Sequence, residues 1–244
     1  MYIYDEDGKL DFNIRGGTQT DLTIEHIYFD NGGDGMSIRD LDVGVLTMTN
    51  LYVSAFSISY SDATKILIED VFSTSTIAHD FITISNCVVA DGTGTLKVKG
   101  LSNTVQDGHR VTVQLSYNEV GYLTLVDYTT NSGTNDDNGS TITGVYVYEN
   151  VIENQLKIKD SVFYSAYVYG NTVNQDGIKI YDNTITYDML FFENVVTAPK
   201  VGIIVFNGND FDTYDATLTM YDFYSPCTCI HSYRTFCWRS LRLT

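Results

Sequence analysis

The stretch "NQDGIKIYDN", from Asn174 to Asn183, contains the pattern that decides the fold. Its middle alternates apolar and polar residues, with Ile178 and Ile180 two positions apart. Such alternation is typical of a β-strand with one buried face. Asp182 follows the alternation, and Asp tolerates the left-handed backbone that a sharp corner needs. The stretch therefore predicts a short strand that ends at a corner.

The same phrase recurs along the chain, always as alternating apolar residues followed by a polar or small residue. It appears as LTIEH at Leu22, LTMTN at Leu46, ILIED at Ile66, ITISN at Ile82, LKVKG at Leu96, LTLVD at Leu123, VYVYEN at Val145, LKIKD at Leu156, AYVYGN at Ala166, LFFEN at Leu190, IIVFN at Ile203 and LTMYD at Leu218. Two interleaved series each repeat about every 22 residues, a period typical of solenoids. One series contains Val145, Ala166 and Leu190, and the other contains Leu156, Ile178 and Ile203.

A circuit of this length returns the chain above its start, so each strand can pair in parallel with its equivalent one turn later. The residues predicted to form the corners are Asn50, Asp70, Asn86, Asp127, Asp160, Asp182 and Asn194. Stacked Asn amides can also hydrogen-bond along the axis of such a coil.

The sequence predicts an all-β fold, a right-handed single-stranded parallel β-helix over residues 1–224. An antiparallel sandwich would explain the strands but not the double register. The phrases "NGGDGMSI", "NVIEN" and "GNTVNQDGIKIYDNTIT" resemble the right-handed parallel β-helix of the pectin-lyase-like superfamily. The resemblance covers roughly residues 10–224, and its motifs are structural, so they indicate the fold more strongly than the function.

The last twenty residues differ from the rest of the chain. Residues 225–244 contain three Arg, no Asp or Glu, and the cysteines Cys227, Cys229 and Cys237. We predict a non-repetitive basic tail, either a cap or sequence from a misassigned gene end, on a fragment of a longer protein. Three Cys beside His231 form a weak zinc pattern, and we predict no metal and no cofactor. Cys87 is expected to be a small core residue, and residues 73–81 and 131–140 are expected to be excursions from the coil.

Composition and charge limit the possible partners. The chain has nineteen Tyr, nineteen Gly, two Pro and a net charge of −17. So acidic a protein repels the phosphates of nucleic acids and anionic membranes, and we expect no nucleic-acid partner. No apolar run is long enough to cross a membrane as a helix, and "MYIYDEDGKL" lacks the pattern of a signal peptide.

The resemblance implies acidic-polysaccharide cleavage as one possible activity, by a lyase or a hydrolase. The hydrolases carry Asn-Thr-Asp, Asp-Asp and Gly-His-Gly segments in that order. Here Gln175 stands where Thr is expected between Asn174 and Asp176, and "DGHRV" at Asp107 precedes them. For a lyase, the best cluster is Arg39 among nearby aspartates, which is also typical of a charged corner. We assign no catalytic residue.

Two columns of outward side chains are the candidate binding residues. Tyr146, Tyr167 and Phe191 are predicted to share one column, and Lys157 and Lys179 another. Aromatic rings stack on sugars and lysines attract carboxylates, so the columns could form a glycan-binding strip. Aromatic ladders also stabilise parallel sheets by stacking, with lysines keeping the sheet soluble.

The leading functional hypothesis is a non-enzymatic segment of a secreted or cell-surface β-helical protein. Its role would be adhesion, structure or recognition of an extracellular polysaccharide or glycan, with end-to-end contacts to further β-helix turns or other chains possible. The alternative is a carbohydrate-active enzyme, a polysaccharide lyase or a glycoside hydrolase, of the pectin-lyase-like group. The first hypothesis is an argument from fold class.

Overall fold

The protein winds into a parallel β-solenoid of about six turns, with about 24 residues between bridged positions. The computed structural model describes residues 4–6, 9–28, 35–73, 79–103, 111–130, 144–197, 203–207, 209–211, 217–221 and 227–230, and every regular element in these ranges is a strand. The predicted all-β parallel solenoid is confirmed. The circuit is somewhat longer than the predicted 22 residues, and its length varies from turn to turn. In a short turn Asp42 pairs with Asp62, whereas in a long turn Leu123 pairs with Leu156.

Two stacks of parallel strands form the long walls of the coil. Stack A consists of β3 (Thr18–Glu25), β5 (Asp42–Tyr52), β7 (Asp62–Ser73), β10 (Thr95–Asn103), β12 (Glu119–Thr130), β14 (Val151–Lys159), β17 (Gly177–Tyr181), β20 (Ile203–Asn207) and β23 (Cys227–Ile230). Stack B consists of β2 (Lys9–Arg15), β4 (Gly35–Arg39), β6 (Ala55–Ser59), β8 (His79–Ser85), β11 (Val111–Ser116), β13 (Gly144–Tyr148), β15 (Val162–Tyr169), β18 (Thr184–Phe192) and β22 (Thr217–Tyr221). The remaining strands are β1 (Tyr4–Glu6), which is antiparallel to β2, and the short strands β9 (Val88–Val89), β16 (Thr172–Val173), β19 (Val195–Val196) and β21 (Asp210–Phe211).

The core is built from the inward residues of both stacks. In stack A, Met48, Ile68 and Ile158 belong to one fully buried column, and in stack B Ile38 and Val147 belong to another. Burying an aliphatic side chain of this size contributes roughly 1.5–3 kcal/mol. The apolar residues of the alternating pattern thus fill the interior of the coil. Cys87 is also fully buried, as predicted.

Left-handed residues turn the chain at the strand ends. Positive φ angles occur at Asn50, Asp70, Asp127, Asp160 and Asp182 after strand segments of stack A, and at Asn86 after a strand of stack B. These six predicted corners are confirmed. The seventh was wrong by one position, because the left-handed residue is Glu193, with φ of 53°, and Asn194 is buried beside it.

Buried asparagines form hydrogen-bonded ladders along the axis. In one ladder, Asn118, Asn150, Asn171 and Asn194 follow each other at successive turns. Each Nδ2 group donates to the Oδ1 of the asparagine one turn later at 2.9–3.0 Å. The same Oδ1 also accepts a hydrogen bond from the backbone N–H of the asparagine one turn earlier. A second ladder contains Asn183 and Asn209. The predicted stacking of Asn amides is therefore confirmed, mostly at residues other than the predicted corners.

The strand register differs at two places from the register that the two repeat series of the sequence predict. Ala166 pairs with Met189 rather than with Leu190, and Ile178 pairs with Ile204 rather than with Ile203. β23 lies beyond the predicted boundary at residue 224 and pairs in parallel with β20. The boundary itself stays a prediction, and most of the predicted excursions at residues 73–81 and 131–140 lie outside the described residues.

Candidate functional site

The outward face of stack A carries every lysine whose side chain the structure describes. Lys157 of β14 and Lys179 of β17 occupy directly paired positions, which confirms their predicted column. The lysines whose side chains the structure describes are Lys65, Lys97, Lys99, Lys157, Lys159 and Lys179, and all six point outward from stack A. We call this face the lysine face. Its concentration of positive charge contrasts with the net charge of −17 of the whole chain.

Two lysines of this face are held by carboxylates. Lys97 donates to Glu69 at 2.8 Å, and this hydrogen bond lowers the pKa of the Glu69 carboxyl. Lys159 pairs with Asp160, whose hydrogen bond raises the pKa of the lysine, and lies 5.9 Å from the centre of the Tyr181 ring. The ion pairs found among the described residues do not include Lys157 or Lys179.

Lys157 and Lys179 are therefore two like charges on adjacent rungs about 4.8 Å apart. Like charges at directly opposed positions repel each other. Both lysines are half-buried and stand at paired positions of one sheet, so an anion bound between their ammonium groups would relieve this repulsion. Tyr181 also points outward from this face, beside Lys179, which the sequence reading of "NQDGIKIYDN" missed.

Tyr146 and Tyr167 lie on stack B, not beside the two lysines. Their rings stack with centroids 4.8 Å apart and planes 7° apart. The predicted third member was wrong, because Phe191 is fully buried and pairs with Val168, while Leu190 pairs with Tyr167. The register of β15 and β18 shifts between Phe163 and Ser165, where β18 contains one extra residue. That bulge moves Phe191 from the outward face to the core.

The stacking matters for sugar binding. A sugar stacks on the face of an aromatic ring, but Tyr146 and Tyr167 turn those faces toward each other. The neighbouring column is arranged in the same way, with Tyr148, Tyr169 and Phe192 stacked at 4.8–5.0 Å. This geometry favours the interpretation of the tyrosines as a stabilising ladder.

The cluster around Arg39 forms a charged corner. The Nε atoms of Arg15 and Arg39 lie 3.2 and 3.5 Å from the same carboxylate oxygen of Asp40, and the Arg39 guanidinium lies 4.9 Å from the centre of the Tyr60 ring. Within the ranges that the structure describes, no group of three His, Cys, Asp or Glu side chains could hold a metal ion. The contacts with Asp40 and Tyr60 mean that both arginines of this corner are engaged in local pairs.

A polar cleft of about 380 Å³ lies next to the stretch that begins at Asn174. Its lining residues are Asp91, Gly92, Thr93, Glu119, Val151, Glu153, Asn154, Asn174 and Gln175. Asn174 and Gln175 donate to the two carboxylate oxygens of Glu153 at 2.9 and 2.7 Å, and these hydrogen bonds lower the pKa of Glu153. A general acid in a hydrolase needs a raised pKa. Glu153 is thus suited to accept hydrogen bonds rather than to donate a proton.

Asp188 is the described carboxyl group with a raised pKa. Burial raises the pKa, and a hydrogen bond from Ser165 partly offsets the rise. Oδ1 of Asp188 is buried without a hydrogen-bond partner. Asp188 lies on β18 and does not line the polar cleft.

Replacing Asp188 with asparagine should stabilise the protein at pH 7 by up to about 1 kcal/mol, because the neutral amide removes the cost of burying the carboxylate charge. A carboxyl whose pKa is raised on folding binds its proton more tightly in the folded state. Its destabilising effect therefore grows as the pH rises from the unfolded pKa through the folded pKa. Urea unfolding at pH 7 and at low pH should show the gain shrinking as the pH falls; an equal gain at both would contradict this origin.

Comparisons of the chain with protein-family models, curated proteins and solved structures found no significant match. The described residues include no helix with the length and apolarity needed to cross a membrane. The fold assignment therefore depends on the strand pairing itself.

Proposed function

We propose that this chain is a non-catalytic segment of a secreted or cell-surface β-solenoid protein that recognises an acidic extracellular polysaccharide through its lysine face. The observation that carries the proposal is that all six lysines with described side chains share one face of an otherwise acidic protein. A flat parallel sheet with columns of cations along its axis matches a linear polyanion in shape and charge. Kinship with the pectin-lyase-like β-helices, and end-to-end contacts with further turns or other chains, are parts of the same proposal.

The central column is where binding should be strongest. Aspartates at the corners, including Asp160 and Asp182, border the outer column of the face and reduce its positive potential. Lys157 and Lys179 stand in the central column, beside uncharged Thr124 at the preceding rung. Their ammonium groups would add contacts of up to about 1 kcal/mol each, and salt would weaken them.

The double variant Lys157→Glu/Lys179→Glu should bind an acidic polysaccharide at least about tenfold more weakly than the unchanged protein, because two attractive contacts become repulsive. Binding can be measured by affinity electrophoresis in gels containing polygalacturonate, alginate or a neutral glucan. The matched control is Tyr146→Ser/Tyr167→Ser, which should retain binding because the sugar would not stack on those rings.

Two results would overturn the proposal. One is unchanged retardation of the glutamate variant in both acidic gels, and the other is equal retardation of the unchanged protein by the neutral glucan. Release of shortened or unsaturated oligosaccharides during incubation would instead support the alternative, a lyase or hydrolase.

A further inference from the structure

The outward face of stack B forms an aromatic groove. One wall is the column of Tyr146, Tyr167 and Leu190, and the other is the column of Tyr148, Tyr169 and Phe192. The residues between the two columns, including Val168, point into the core and are fully buried. The floor of the groove is therefore strand backbone, and its walls are the edges of stacked rings.

The dimensions of the groove follow from sheet geometry. Side chains two positions apart on one strand are separated by roughly 6.7 Å, and three rungs extend for roughly 9.6 Å along the axis. The rings of the second wall are nearly parallel, with interplanar angles of 4° and 1°. At one end, Tyr117 packs edge-on against Tyr148 with centroids 5.5 Å apart. Such a groove accommodates a long, flat molecule aligned with the solenoid axis.

The charge around the groove favours a cation. Glu149 and Glu193 are exposed corner residues that directly follow Tyr148 and Phe192 of the second wall. The lysines described above all lie on the other stack, so these two exposed carboxylates make the potential beside the groove negative.

We propose that the aromatic groove is a binding site for elongated, planar, cationic aromatic molecules. This site is separate from the lysine face, because it lies on the opposite stack and has the opposite charge preference. It does not depend on polysaccharide binding, so either proposal can fail without the other.

Thioflavin T, a planar aromatic cation, is a suitable probe of the groove in the full chain. We expect saturable binding with an increase in dye fluorescence and an induced circular dichroism signal. Tyr146→Thr/Tyr167→Thr should weaken binding about tenfold by removing two of the ring edges that form the first wall. Threonine fits this column, because Thr219 occupies it one rung beyond Leu190. Lys157→Glu/Lys179→Glu should bind the dye at least as well as the unchanged protein.

A second variant keeps every ring in place. Glu149→Lys/Glu193→Lys reverses the charge at two corners, where glutamate already adopts a positive φ, and should weaken dye binding several-fold. Far-UV circular dichroism and thermal melts should show that each variant is folded. Unchanged dye affinity in both the threonine and the lysine variants, or tighter binding of the planar anion Congo red than of thioflavin T, would overturn the proposal.

Discussion

Replacing Asn150 with alanine should lower the free energy of unfolding by about 4 kcal/mol, because it orphans several buried polar groups at a cost of roughly 1–3 kcal/mol each. Asn150 is 1% exposed and stands in the middle of its ladder. Its Oδ1 accepts from both the backbone N–H and the Nδ2 of Asn118, each at 3.0 Å. Its Nδ2 donates to the Leu115 carbonyl at 2.8 Å and to Asn171 Oδ1 at 2.9 Å. Alanine removes all of these partners while water stays excluded.

Equilibrium unfolding in urea measures this loss. The matched control is Asn13→Ala, at an exposed outward position of β2, which should change stability by about 0.5 kcal/mol or less, as is usual for surface sites. Hydrogen exchange adds a local test, because the Asn118 amide should lose protection in the Asn150 variant more than the strand amides do. A loss no larger than that of the control would mean that water replaces the ladder bonds.

The parts of the fold that depend on local chemistry could be predicted from the sequence. Alternation at Ile178 and Ile180 identifies buried strand positions, and Asp160 or Asp182 after a strand identifies a left-handed corner. Asn194 shows the limit of this reasoning, since a corner residue and a ladder residue are neighbours, and Asn occurs both at corners, as in Asn50 and Asn86, and in the ladders. Whether an asparagine bends the chain or bonds along the axis depends on the rung above it, which the local sequence does not specify.

The candidate site was predictable only in part, for a related reason. "LKIKD" and "IKIYD" carry lysine at the same place in the phrase, so Lys157 and Lys179 could be aligned. "LKVKG" carries Lys97 in that place too, but a rung of β12 and turns of unequal length separate Lys97 from Lys157. The repeat spacing therefore did not place Lys97 in the same column. Alternation also tells which residues point outward but not which wall they leave from. The tyrosines and lysines were for that reason grouped into one strip, although they lie on different stacks.

The pair Phe191 and Leu190 gives the sharpest test of the register that the structure assigns. Phe191→Ala should destabilise the protein by about 4 kcal/mol, as expected when a large side chain is removed from a closed core. Leu190→Ala should cost about 1 kcal/mol or less, because Leu190 points outward and is only half-buried. The sequence alignment, which places Phe191 beside Tyr167 on the surface, predicts the reverse order. Urea unfolding of both variants at one pH measures the two costs, and a greater loss for Leu190→Ala would show that β18 lacks the extra residue that turns Phe191 into the core.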